Sequence, residues 1–84
     1  MYHVYLLRSI QSPHMTYVGF SQRADIRKRM QEHNTGLSKT TRPHIPWKIE
    51  VLISFASKQK AEAFEYYLKK GSGYAFSKKH FWTE

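Results

Sequence analysis

The distribution of apolar and polar positions along the chain predicts three β-strands. Six nearly continuous apolar positions, Tyr2 to Leu7, favour a strand that is covered on both faces. Residues 16–20 form a second apolar run, and the turn residues between the two runs predict an antiparallel hairpin with a long loop. Apolar side chains alternate with their neighbours over residues 47–55, which predicts a third strand with one face toward a core.

A first helix is predicted over residues 24–34. Ile26, Met30 and His33 fall at positions i, i+4 and i+7, so they lie on one face of this helix. The following residues, 35–46, are rich in glycine, proline and hydroxyl side chains, which end the helix and predict a loop.

A second helix is predicted to begin after an N-cap at Ser57, to run to about Lys70 and to stop at Gly71. The two glycines in residues 71–73 then predict a break in the helix. The tail, 74–84, carries four large aromatic side chains, so part of it is expected to pack back on the body. The order β-β-α-β-α plus a C-terminal tail predicts one small α/β domain over the whole chain, with a three-stranded antiparallel or mixed sheet flanked by helices.

The amino-acid composition and net charge limit the classes of function that this chain can have. A chain of 84 residues is long enough for one small domain. Lysine and arginine total 14 against 6 aspartates and glutamates, and the net charge of +8 favours a polyanionic partner, most often nucleic acid. An aromatic content of 15% argues against a disordered basic tail.

Other classes of protein are excluded or disfavoured by what the sequence lacks. The absence of cysteine excludes a disulfide framework, a Cys-ligated zinc site and thiol catalysis. There is no phosphate-binding or dinucleotide-binding glycine motif, and the histidines lack metal-ligand spacing. No membrane-spanning run or signal peptide is evident, so we expect a soluble, cytoplasmic protein with no membrane partner.

One carboxylate falls inside the apolar stripe of the second predicted helix. Ala61, Phe64, Glu65 and Leu68 occupy positions i, i+3, i+4 and i+7. A carboxylate among core positions costs free energy unless it is paired, hydrogen-bonded or bound to a metal. Glu65 is therefore a candidate metal ligand, a salt-bridge partner of a nearby cation, or a residue on a helix rotated toward water.

Two residues of the first predicted helix lie at the edge of its apolar stripe. Arg29 and His33 are one turn apart and adjacent on the helix surface. They are either functional residues or, in the ordinary alternative, an arginine that covers core surface and a hydrogen-bonded, half-buried histidine. Arg27 and Lys28 point outward, which suits contacts to a phosphate backbone.

The hairpin strands contribute two tyrosines. Tyr5 and Tyr17 each lie in an apolar setting, where a tyrosine usually packs in a core with its hydroxyl hydrogen-bonded. Gly19 interrupts the second strand, which predicts a bulge or a close approach of another group to its backbone.

These residues resemble a known family when they are taken in order. Residues 3–5 (His-Val-Tyr) and 17–19 (Tyr-Val-Gly), about a dozen residues apart, are similar to the two sequence elements of the GIY-YIG nucleases. Residues 25–34 look like the helix that follows in that family, and residues 64–65 (Phe-Glu) resemble the site of its metal-binding glutamate. The resemblance covers residues 2–82 and is closest to the short, single-domain members.

The resemblance implies hydrolysis of phosphodiester bonds in DNA with one divalent metal ion, Mg²⁺ or Mn²⁺. In that case Glu65 would be the only protein carboxylate on the metal, and Arg29 would bind the scissile phosphate. Tyr5 and Tyr17 would line the site, with one of them orienting or deprotonating the attacking water, and His33 could assist that tyrosine. Branched or damaged DNA, as in DNA repair, is the expected kind of target, and RNA remains open as a substrate.

The substrate-binding surface is expected to consist of basic residues on the helices, the central loop and the tail. The candidates are Arg27, Lys28, Lys39, Arg42, Lys69 and Lys78.

Three functions stay open at this point. Many family members carry an asparagine about a dozen residues after the metal-binding glutamate, but this chain has Ser77 and Lys78 there. The leading hypothesis is an endonuclease, weak alone, whose specificity comes from a protein partner. The second is a nucleic-acid-binding module that has kept the fold and lost catalysis. The third is a protein-interaction domain whose aromatic tail docks on a partner or on a second copy.

Overall fold

The computed structural model describes residues 1–22 and 24–82, and this part of the chain contains three strands and three α-helices. In chain order the elements are β1 (Tyr2–Ser9), β2 (Thr16–Ser21), α1 (Ile26–Asn34), β3 (Trp47–Phe55), α2 (Lys58–Lys69) and α3 (Gly71–His80), with one turn of 3₁₀ helix, Arg42–His44, before β3. The predicted α/β fold class is confirmed. The predicted order β-β-α-β-α is also found, and it is followed by a third helix, α3, in place of an irregular tail.

The sheet is antiparallel throughout, with strand order β2-β1-β3. The central strand, β1, pairs with both neighbours, and its residues 4–7 are completely buried. This confirms the prediction of a strand covered on both faces, since helices pack on the two sides of the sheet. The alternating strand predicted over residues 47–55 is also confirmed, with the same bounds.

Opposite faces of β1 belong to two separate apolar clusters. Val4 and Leu6 pack with Ala61 and Leu68 of α2, together with aromatic side chains from several other elements. Tyr5, by contrast, belongs to the cluster on the other face, which α1 covers. Because successive side chains of a strand point to opposite faces, a single tyrosine in β1 is placed on the α1 side while its neighbours build the α2 side.

The segment after α2 differs from the prediction. Residues 71–80 form helix α3 instead of a break and an irregular tail. Gly71 adopts a left-handed φ of +56°, and a Cβ at Gly73 would overlap the backbone carbonyl of Tyr67. The two glycines therefore make a tight corner between α2 and α3, Gly71 because its backbone conformation disfavours a side chain and Gly73 because a side chain would not fit. The predicted packing of the tail is confirmed, since Phe81 and Trp82 contact the α2-side cluster.

Side-chain caps fix the start of α1 and α2. The Asp25 carboxylate accepts a hydrogen bond from the backbone N–H of Arg27, and the Ser57 hydroxyl accepts one from Lys60. Ser57 is the cap that the sequence predicts, whereas α1 begins at Ile26, two residues later than expected. Within residues 1–22 and 24–82, no helix combines the length and the apolar character needed to cross a bilayer.

Candidate active site

A tyrosine–histidine pair lies at the centre of the α1 side of the sheet. Tyr5 is fully buried in β1, and His33 is fully buried in the last turn of α1. The Tyr5 hydroxyl and Nε2 of His33 are 2.9 Å apart. The apolar-stripe position of His33 therefore brings its ring to the middle of β1 rather than to the protein surface.

The pair depends on the absence of a side chain at Gly19. In the β1–β2 register, Gly19 lies directly opposite Tyr5. A Cβ at Gly19 would overlap the ring and hydroxyl of Tyr5, so the Tyr5 ring occupies the space that any other residue would fill. The close backbone approach that the sequence predicts at this glycine is thus confirmed, and its partner is the first motif tyrosine.

A guanidinium completes the hydrogen bonding of the Tyr5 hydroxyl. Arg29 donates from Nε to the Tyr5 oxygen at 3.2 Å and from an Nη to Glu32 at 3.1 Å. Because Arg29 can only donate, the Tyr5 oxygen accepts this bond, and its own proton points to Nε2 of His33. His33 then carries its proton on Nδ1, which is 2.7 Å from the hydroxyl oxygen of Thr41. This protonation is assigned from the hydrogen-bond network.

Burial and charge set the protonation of the pair. Burial first, and the nearby Arg29 guanidinium second, lower the pKa of His33 from 6.5 to about 4, so its imidazole is neutral at pH 7. Burial also raises the pKa of Tyr5 above its ordinary value, although Arg29 opposes this effect. At neutral pH the protonated phenol of Tyr5 is therefore hydrogen-bonded to the neutral imidazole of His33. A proton can pass directly along this hydrogen bond.

The second motif tyrosine forms a more exposed side of the same cluster. The Tyr17 ring centre is 6.5 Å from that of Tyr5 and 5.5 Å from that of His33. Tyr17 is half-buried, and Nζ of Lys69 lies 6.0 Å from the centre of its ring. Tyr17 therefore connects the buried pair to the surface of α2.

Glu65 lies on the α2 surface and forms an ion pair. Its Oε2 accepts a hydrogen bond from Nζ of Lys69 at 2.9 Å, and its side chain is 23% exposed. This is the salt-bridge alternative that the sequence left open. The charge of Glu65 is also one of the causes that raise the pKa of Tyr5, so the carboxylate acts electrostatically on the cluster.

The donor set suits a divalent ion that is held mainly by water and phosphate. No group of three or more metal-ligating side chains is found in the described part of the chain. Lys69 binds one of the two carboxylate oxygens of Glu65, and the side chain reaches solvent. A single accessible carboxylate fits Mg²⁺, because this ion usually keeps several waters and takes phosphate oxygens as further ligands.

The predicted DNA-binding residues are spread over several surfaces. Lys69 is the one that contacts the cluster, through Glu65 and Tyr17. Arg27 and Lys28 are exposed on α1, and Arg27 pairs with the Asp25 carboxylate. The other candidates are exposed on the loop after α1 or on α3, namely Lys39, Arg42 and Lys78.

Sequence reasoning missed Thr41. It is fully buried in the loop before β3, where its hydroxyl contacts His33 and its carbonyl accepts a hydrogen bond from the Trp47 indole at 2.8 Å. Loop residues carry no hydrophobic periodicity, so a threonine among other hydroxyl side chains gave no signal of burial. Only the packing of the loop on α1 and β3 distinguishes this position.

The region of the expected asparagine also has a specific geometry. Ser77 is buried in α3, and its hydroxyl donates to the carbonyl of Tyr74 at 2.8 Å. Lys78 is exposed on the same helix. Ser77, with Tyr17 and Lys69, lines a surface pocket beside the cluster. Ser77, and not Lys78, therefore lines the pocket that the second motif tyrosine also lines.

Comparison with known protein families matches residues 1–79 to the GIY-YIG catalytic domain. No match was found among curated proteins or among solved structures. The matched region contains β1, β2 and the five predicted catalytic residues, namely Tyr5, Tyr17, Arg29, His33 and Glu65. Members of this family typically use a divalent metal. The chain belongs to the GIY-YIG nuclease superfamily, whose substrates are nucleic acids.

Proposed function

We propose that this protein is an endonuclease that hydrolyses phosphodiester bonds in DNA with the help of Mg²⁺ or Mn²⁺. The observation that carries the proposal is the buried hydrogen-bonded series from Arg29 through Tyr5 and His33 to Thr41. Such a series costs desolvation free energy, and a purely structural core could avoid that cost with apolar side chains. Arg29, at one end of the series, has a side chain that is 28% exposed and lines a surface pocket, so a reacting phosphate can approach the series there.

In this proposal Tyr5 and His33 move one proton. The attacking water gives a proton to the Tyr5 oxygen while the Tyr5 hydroxyl proton passes to Nε2 of His33. The water oxygen forms the new bond to phosphorus as the bond to the leaving sugar oxygen breaks, and that oxygen takes a proton from solvent. Tyr17 hydrogen-bonds the phosphate or a water near it.

Arg29 has two functions in the same proposal. Its guanidinium binds the scissile phosphate and stabilises the charge that develops there. It also lowers the pKa of His33 in the free protein. A bound phosphate would neutralise this guanidinium, so substrate binding raises the proton affinity of His33 when a proton must be accepted.

Glu65 is the residue that would hold the divalent ion, which supplies positive charge to the phosphate and to a bound water. The Lys69 ammonium would then leave one carboxylate oxygen and become free to contact the substrate backbone. The remaining basic candidates are proposed to bind backbone phosphates farther from the cut, namely Arg27, Lys28, Lys39, Arg42 and Lys78.

The test compares two glutamates of the same helix. Purified wild type, Glu65→Gln and Glu62→Gln are incubated with plasmid, single-stranded and flapped DNA in Mg²⁺, in Mn²⁺ or in EDTA. Glu62 is exposed on α2, so Glu62→Gln is the matched control and is expected to cut like wild type. Glu65→Gln and EDTA are expected to reduce cutting to background. Cutting by Glu65→Gln at the wild-type rate contradicts the proposal.

A second candidate function is binding of nucleic acid without cleavage. The Glu65–Lys69 ion pair favours it, because the single carboxylate already has a cationic partner. It predicts that wild type cuts none of the three DNA forms. It also predicts that an Arg29→Ala, Glu65→Ala double variant keeps wild-type affinity, with the strong salt dependence of phosphate contacts.

A further inference from the structure

Two surface pockets join to form a groove that begins at the candidate site and follows α3. They share three wall residues, so one continues into the other. We call this the α3 groove. From the site outward, the residues that line the α3 groove include Tyr17, Lys69, Tyr74, Trp82, His14 and Lys78.

Aromatic rings with nearby cations follow one another along the α3 groove. Tyr74, in the shared part, is 53% exposed, and Nζ of Lys78 is 5.7 Å from its ring centre. The ring of Trp82, also shared, has the Arg8 guanidinium 5.3 Å from its centre. Together with Tyr17, these residues line one continuous groove, and Tyr74 is the exposed ring among them.

The charge of the groove suits an anionic chain. Among the described residues that line the two pockets, no carboxylate is found, whereas Lys69, Arg8 and Lys78 are cationic. Arg8 is paired with Glu50 outside the groove and therefore holds Trp82 in place more than it attracts a ligand. Lys69 is paired with Glu65, so Lys78 is the lining lysine that is placed to contact phosphates in the metal-free protein.

The combination of aromatic faces and cations distinguishes an unpaired strand from a duplex. Bases of an unpaired strand can stack on aromatic side chains while its phosphates contact lysines, and such stacking contributes about 1–3 kcal/mol per base. In a duplex the base faces are covered by their neighbours, so aromatic walls would meet only sugar and phosphate.

We propose that the α3 groove binds an unpaired DNA strand that continues from the scissile phosphate, so that the preferred substrates contain single-stranded segments. The inference rests on the proposed function for the direction of the strand, since Tyr17 belongs both to the groove and to the site. Tyr74 is the central stacking residue, because its ring is shared by both pockets and is the most exposed of the three.

The test measures binding without cleavage. Fluorescence anisotropy follows a fluorescein-labelled oligothymidylate of about 12 nucleotides, a length within the range of single-strand binding sites, in EDTA. Wild type, Tyr74→Ala and Tyr74→Phe are compared. The matched control is Tyr66→Ala, because Tyr66 is 63% exposed on α2 and has Nζ of Lys70 4.8 Å from its ring centre, but does not line the groove.

We expect Tyr74→Ala to weaken binding roughly 5- to 150-fold, which corresponds to the loss of one base–aromatic stack. Tyr74→Phe keeps the ring and is expected to bind like wild type, as is Tyr66→Ala. Circular dichroism establishes that each variant is folded. An unlabelled duplex of the same length is expected to compete less well than the unlabelled single strand.

Several results would overturn the inference. These are equal affinity of wild type and Tyr74→Ala, equal losses in Tyr74→Ala and Tyr66→Ala, or a duplex that competes as well as the single strand. Tighter binding of an oligouridylate than of the oligothymidylate would overturn the assignment to DNA. The outcome is independent of catalysis, because failure of the proposed function appears in the Glu65→Gln cleavage assay and not in this binding assay.

Discussion

Acidification is expected to destabilise this protein through one buried histidine. His33 has a pKa of about 4 in the folded protein and close to 6.5 when unfolded, because burial and the Arg29 guanidinium disfavour its charged form. Between these two pH values the unfolded chain binds a proton that the folded protein excludes. The free energy of unfolding is therefore highest above pH 6.5 and falls as the pH is lowered toward 4.

The magnitude follows from the two pKa values. Their difference, at about 1.4 kcal/mol per pKa unit, corresponds to about 3 kcal/mol for His33 alone. Small domains have total stabilities of about 5–15 kcal/mol, so this loss is a large fraction of the whole. Below pH 4 the folded protein also binds the proton, so His33 no longer contributes to the change of the free energy of unfolding with pH.

Urea unfolding at several pH values between 7 and 4 measures the effect. Wild type is compared with His33→Gln, which keeps a hydrogen-bonding side chain and removes the titrating group. Other titrating groups are common to both proteins, so the difference between their pH slopes isolates His33. We expect wild type to lose about 3 kcal/mol more than the variant over this range. Parallel slopes, or an NMR titration of His33 near pH 6.5, would refute the reasoning.

Two substitutions test the geometry around the pair. Gly19→Ala forces a Cβ into the Tyr5 ring, and we expect a loss of about 1–3 kcal/mol in urea unfolding together with loss of cleavage; wild-type stability would contradict the described packing. Thr41→Val leaves the buried Nδ1–H of His33 without an acceptor, at a cost of about 1–3 kcal/mol. Thr41→Ser is expected to keep the ¹⁵N chemical shifts of the His33 ring, whereas Thr41→Val should change them; unchanged shifts in Thr41→Val would exclude this contact.

The strands were the most predictable part of the fold. The apolar run of β1 and the alternation of β3 depend only on which faces each strand buries, so they are visible as local patterns. The cap at Ser57 was also predictable, because a side chain that satisfies a nearby backbone N–H acts within a few residues.

Helix α3 was not predictable in the same way. Glycines at 71 and 73 are typical of a break, and a glycine in a helix costs free energy relative to alanine. In the folded protein they permit a corner in which the backbone at Gly73 contacts the Tyr67 carbonyl. The contact of Phe76 with Tyr67 of α2, and the packing of Phe81 and Trp82 just after α3 on the α2-side cluster, stabilise a helix that its own sequence would not favour.

The sequence by itself determined the fold class, the family and the residues Tyr5, Tyr17, Arg29 and His33 that meet in one cluster. These properties depend on local periodicity and on motif spacing. Only the tertiary structure decided how the residues bind one another, because hydrogen bonds across the fold join positions with no fixed separation along the chain. Thr41 is the clearest case, since its contact with His33 exists only after the loop has packed between α1 and β3.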